Sequence, residues 1–208
     1  MNSKLYKLAE FIIIFLLIPI SFAFSYPFWL KISIGVIGFL YVCFILFRIE
    51  KIKIKLSPRV RWFLFFKETI IKLGVIIPIT VLYVYLIGPN LLFDLALNNT
   101  LSLLLILSLY AIFSAYPQEI LFRTFFFNRY ERYFKDSNYM ILINAILFSL
   151  AHLLFKNFLV LLVTFIGGVL FALTYKKYRS TFLVAVEHIF YGGWVIIVGL
   201  GKLMGFSV

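Results

Sequence analysis

Six stretches of this chain contain no Asp, Glu, Lys, Arg or His: Phe11 to Leu30, Ile32 to Phe47, Leu73 to Phe93, Leu95 to Gln118, Ser137 to Ala151 and Asn157 to Tyr175. Each is near the ~20 residues with which a helix, rising about 1.5 Å per residue, crosses about 30 Å of hydrocarbon. A further candidate, Thr181 to Leu200, carries Glu187 and His188. Backbone in lipid must satisfy its own hydrogen bonds, so apolar runs of this length predict helices. The fold class is therefore all-α, a polytopic transmembrane helical bundle of about seven spans.

Composition excludes the alternatives. Apolar residues make up 64% and charged residues 13% of the chain, against about half and about a quarter in soluble domains. Twenty-six Phe exceed what a soluble protein of 208 residues can hide. The lone Cys43 can form no internal bridge, so a disulfide scaffold is excluded as well.

The net charge of +12 does not signal nucleic-acid binding, because the basic residues lie between apolar runs. With a cytoplasmic amino terminus, one side collects Lys4, Lys7, Arg48, Lys51, Lys53, Lys55, Arg59, Arg61, Lys67, Arg123, Arg129, Arg132, Lys135, Lys176, Lys177 and Arg179. The other holds Lys31, Lys156 and Lys202, with Lys72 near the start of the third span. This asymmetry is the signature of a cytoplasmic face.

The stretch Arg48 to Arg61, with Pro58 as a helix stop, reads as a basic loop on anionic lipid. Asp94, Asn98, Asn99 and Thr100 have the composition of a turn with a helix cap. Trp29, Trp62, Tyr83 and Tyr85 fit an interfacial belt. The first apolar run ends in Ser21-Phe22-Ala23, shaped like a signal-peptidase site, but is long for a signal peptide and reads as an uncleaved helix. Residues 1–100 carry helices without motifs and 101–201 the functional core, within one structural domain.

Function turns on polar residues inside apolar runs, each costing at least ~2.5 kcal/mol at the bilayer centre unless it has a partner. Gln118, Glu119 and Arg123 interrupt one run, His152 ends another, and Glu187 and His188 interrupt the last. Glu119 and Arg123 are four apart and can pair on one helix face. Counting from the cytoplasmic ends of their helices places Glu119 about 13 Å deep, His152 about 21 Å and His188 about 12 Å. Side chains on tilted neighbours can span such differences.

A carboxylate and two imidazoles within reach of one another suit a hydrolase that uses water directly. The Glu takes the proton of water, one His shares that work, and the other stabilises the oxyanion. No G-x-S-x-G or H-E-x-x-H occurs. Glu119, His152 and His188 are nevertheless donors of the kind that hold zinc, so a divalent metal stays open, with no cofactor predicted.

At these residues the chain resembles the CAAX prenyl protease and bacteriocin-processing (CPBP) family of intramembrane proteases. That family pattern is E-E-x-x-x-R, then F-x-x-x-H, then H-x-x-x-N or D. Gln118 to Arg123 resembles the first motif, Phe148 to His152 matches the second, and His188 begins the third. The aromatic, basic stretch Phe125 to Tyr133 and the small residues Gly167, Gly168 and Ala172 are also similar.

The resemblance implies an endopeptidase acting on protein or peptide substrates, lipid-modified CAAX proteins or bacterial precursors among them; the short chain, rich in Ile, Lys and Phe, points to a multi-pass protein of a bacterial inner membrane. It assigns Glu119 and Arg123 to the first motif, water activation to His152 and oxyanion stabilisation to His188. Two positions depart from the pattern: Gln118 replaces the carboxylate usually taken as the base, and Gly192 replaces Asn or Asp.

Three readings of the base follow. Glu119 takes the proton with Gln118 orienting the water; Glu187 supplies the missing carboxylate; or the chain has lost proteolysis and serves as a membrane immunity or scaffold protein. A proton-coupled transporter built on the same residues would require inverted repeats, which the sequence does not display.

Overall fold

The computed structural model describes residues 3–54 and 60–205. Lys55, Pro58 and Arg59 of the basic loop lie outside the described residues. Helix makes up 84% of the structure and no strand occurs among the described residues, as the apolar runs require. Helix α1 covers residues 4–21, with a wide π turn at Ile13–Leu17. Then come α2 (Phe28–Ile49), α3 (Trp62–Ile87), α4 (Thr100–Tyr133), α5 (Ser137–Leu150, continued by a turn at Leu153–Phe155), α6 (Phe158–Tyr178) and α7 (Thr181–Ile197).

Helices α2, α3, α4 and α6 and the segment Ser137–Phe155 are long and apolar enough to cross a membrane, whereas α7 is a shorter apolar helix. Their outward faces are apolar, with Ile37, Leu101, Phe113 and Phe158 all exposed. Burial from water cannot explain that surface, and lipid can.

Local chemistry sets the helix starts. The side chains of Ser3, Asn99, Asp136 and Ser180 accept hydrogen bonds from the amides of Tyr6, Ser102, Asn138 and Leu183. Each satisfies a donor that the first turn would otherwise orphan. One boundary differs from the expectation: the apolar run Phe11 to Leu30 is broken at 22–27, and α2 begins directly after Pro27. Hydropathy is blind to this break. The proline has no amide hydrogen to continue a helix arriving from Ser21, yet is at home preceding a new one.

The chain divides into two compact units, residues 1–53 with 121–172 and residues 54–120 with 173–208. The core of the first is aromatic. Phe15 meets Phe126 edge-on at 5.5 Å between ring centres and Phe122 at 5.6 Å, and Phe122 meets Phe148 at 5.2 Å. A charged cluster lies beside it. Glu10 accepts from Arg129 Nε at 2.6 Å, Tyr130 at 2.7 Å and Tyr41 at 2.5 Å. Arg129 also pairs with Glu50, which Lys7 approaches at 3.5 Å. Burial alone would raise the Glu50 carboxyl, but the Arg129 hydrogen bond and the Lys7 charge hold it below its ordinary range.

In the second unit α7 packs against α3 and the first part of α4. Trp194 Nε1 donates to Thr80 Oγ1 at 2.8 Å, and Tyr178 donates to Glu68 at 3.0 Å beside the Lys177–Glu68 pair. Lys202 donates to Asp94 at 2.7 Å. That bond, helped by Asn98, keeps the Asp94 carboxyl below the usual carboxylate range.

Candidate active site

Pro117 leaves α4 without one amide hydrogen at mid-helix, and wide π turns at Ala111–Ala115 and Ile120–Phe125 flank the four residues Tyr116–Glu119. Such turns re-aim side chains within a helix. In the second unit Glu119 is fully buried, and His188 Nδ1 on α7 donates to its Oε1 at 2.8 Å. A carboxylate can only accept, so it fixes the imidazole with its proton on Nδ1 and Nε2 as the basic nitrogen. Gln118 Nε2 donates to Ser114 Oγ at 3.0 Å, while its buried Oε1 has no hydrogen-bond partner among the described residues.

Glu187 precedes His188 in sequence and takes different company. Neighbours on a helix point about 100° apart. Its fully buried carboxylate accepts from Lys72 Nζ at 2.6 Å and from the Tyr191 hydroxyl at 2.8 Å. Lys72 Nζ also donates to Thr174 Oγ1 at 3.2 Å. The ammonium and the phenol both donate to the same oxygen, Oε1, which ties this carboxylate into an ion pair away from His188.

In the first unit Arg123 is fully buried. Its Nη1 donates to Asn144 Oδ1 at 2.9 Å and its Nη2 to the Gly168 carbonyl at 3.4 Å. The guanidinium lies over the Phe148 ring at 4.8 Å and the Phe171 ring at 5.7 Å. Asn144 in turn donates to the Phe122 carbonyl at 2.8 Å. Gly168 suits this approach: a Cβ at this position would stand 3.0 Å from Ala145 Cα, tighter than ordinary contact, so a larger residue would push α6 and α5 slightly apart.

His152 lies in the turn after α5, where its Nδ1 donates to the Phe148 carbonyl at 2.8 Å. Its ring stacks on Phe155 at 6.3 Å. Phe148 thus supports both Arg123 and His152, a physical role for the phenylalanine of the second motif.

Sequence reasoning missed Lys72, Tyr191, Tyr110 and Asn144. The signal for Asn144 was an amide in the middle of an uncharged run, and for Lys72 an ammonium in α3 beyond Lys67 and Glu68, at the edge of a long apolar stretch. Among the described residues no group of three or more His, Cys, Asp or Glu is gathered to hold a metal ion.

Helices of membrane-spanning length and a buried carboxylate–imidazole pair define an integral, multi-pass membrane protein with acid–base groups in its apolar interior. Residues 99–194 match the model of the Rce1-like family, described as type II CAAX prenyl endopeptidases. The matched segment contains Gln118, Glu119, Arg123, His152, Glu187, His188 and Gly192. No curated protein and no solved structure matches the chain.

Proposed function

We propose that the chain is an intramembrane endopeptidase of the CAAX prenyl type, and that the Glu119–His188 pair is its base. The single observation that carries this reading is the 2.8 Å bond from His188 Nδ1 to Glu119 Oε1, inside a segment matching a protease family. With its Nδ1 proton held by the carboxylate, His188 Nε2 takes a proton from water as the water oxygen bonds to the scissile carbonyl carbon. The carbonyl π electrons move to oxygen, giving a tetrahedral oxyanion. As the intermediate collapses, the carbon–nitrogen bond breaks and the proton passes from the pair to the departing amine.

This changes the division of labour expected from the motifs: Glu119 acts through His188, and Gln118 Oε1 is an acceptor for a hydrogen of the water. His152 enters the reading through the F-x-x-x-H motif, with Nε2 as its proton-accepting nitrogen. Glu187 is a buried ion-pair partner of Lys72. The substrate is a peptide or protein, with a lipidated carboxyl-terminal sequence as the type suggested by the family. The setting is a bacterial inner membrane with the amino terminus cytoplasmic.

Cleavage of a farnesylated CAAX peptide by the full chain in proteoliposomes tests the reading. Glu119→Gln is expected to lower kcat by about 10²- to 10⁴-fold, the range for a lost general base. Full activity in Glu119→Gln overturns it. Gln118 in place of a carboxylate favours a second reading, a non-catalytic immunity or scaffold protein. That reading gains if protection or assembly survives His152→Ala and His188→Ala together.

A further inference from the structure

Helix α7 has Gly192 one turn after His188, and a glycine in mid-helix is unfavourable relative to alanine. A Cβ at 192 would stand 1.8 Å from the Tyr110 hydroxyl oxygen and 2.6 Å from Tyr110 Cζ. No side chain except hydrogen is compatible with the phenol in that place. The Tyr110 ring meets the His188 ring edge-on, with centres 5.9 Å apart and planes at 81°. Tyr110 thus reaches from α4 into the space beside the Glu119–His188 pair, where residue 192 would otherwise project its own side chain.

The hydroxyl has no hydrogen-bond partner among the described residues. Phenylalanine would fill the same space without a donor. Its ring alone would serve the contact with His188. The hydroxyl is a donor kept at the pair with nothing among the described residues to receive its hydrogen bond.

We propose that Tyr110 is a catalytic residue of this site. Its hydroxyl donates to the carbonyl oxygen of the scissile peptide bond and to the oxyanion that forms there, replacing a polar side chain that Gly192 lacks. The proposal rests on the hydrolase reading above. The proton stays on Tyr110 throughout; the hydrogen bond tightens as charge builds on the substrate oxygen.

The test uses the full chain in proteoliposomes with the farnesylated CAAX peptide. Tyr110→Phe keeps the ring against His188 and is expected to lower kcat by about 10²- to 10³-fold with KM within about threefold and the unfolding temperature unchanged. Gly192→Asn alone is expected to lose activity by clash. Tyr110→Ala with Gly192→Asn is expected to recover at least about tenfold over Tyr110→Ala, because the amide then donates from the other helix. An unchanged kcat in Tyr110→Phe, with Glu119→Gln inactive, overturns the donor and leaves the hydrolase reading standing. Full activity in Glu119→Gln, or an inactive wild-type chain, overturns both.

Discussion

Lys72→Ala would leave the Glu187 carboxylate, fully buried, with the Tyr191 hydroxyl as its remaining donor. The lost contact is a 2.6 Å ion pair whose lysine end is 27% exposed and whose glutamate end is sealed. Removing one partner of a buried pair costs about 3–5 kcal/mol, most of it the desolvated charge left behind. For a chain of this size each kcal/mol moves the unfolding midpoint by about 2–4 °C, so the expected drop is about 6–20 °C. Circular dichroism melts in detergent micelles would measure it.

Lys72→Met combined with Glu187→Gln removes both charges, and the amide oxygen introduced at position 187 can still accept from Tyr191. This double variant is expected to melt within about 5 °C of the wild type. If Glu187 were instead the proton acceptor of the site, Glu187→Gln would abolish hydrolysis in protein that remains folded. A melting point for Lys72→Ala within about 2 °C of wild type, or no recovery in the double variant, would refute the buried-pair argument.

Two further outcomes follow from the ion pairs. Arg129→Ala strands Glu10 and removes a partner of Glu50, so it is expected to destabilise the first unit by about 3–5 kcal/mol, read as earlier loss of protection in hydrogen exchange across α1 and residues 126–130. Asp94 has a lowered folded-state pKa, so its bond with Lys202 adds stability that is complete above the ordinary carboxyl value of 3.8 and lost as pH falls through the lower folded value. The melting difference between wild type and Asp94→Asn is therefore expected to be constant from neutral pH down to about 5 and to shrink below about 4.

The helical class was legible because uncharged runs of membrane length leave the backbone no other choice, and the motif segment was legible because its polar residues have no bland place in lipid. Pairing was harder to read. Glu119 and His188 are 69 positions apart, Lys72 and Glu187 are 115 apart, and Glu10 and Arg129 are 119 apart, so no local spacing encodes which acid meets which base. Glu187 and His188 looked like one feature in sequence, yet the helix sends them to different partners. Tyr110 was hidden because a tyrosine in an apolar run reads as packing; only the space reserved by Gly192 marks it out.

A double-mutant cycle on peptide hydrolysis in proteoliposomes, with Glu119→Gln, His188→Gln and both together, probes the proton-accepting pair itself. Groups that act as one unit are strongly non-additive, so the double variant is expected to be no slower than the slower single variant. Losses that multiply, or hydrolysis that persists when both groups are gone, would contradict the assignment.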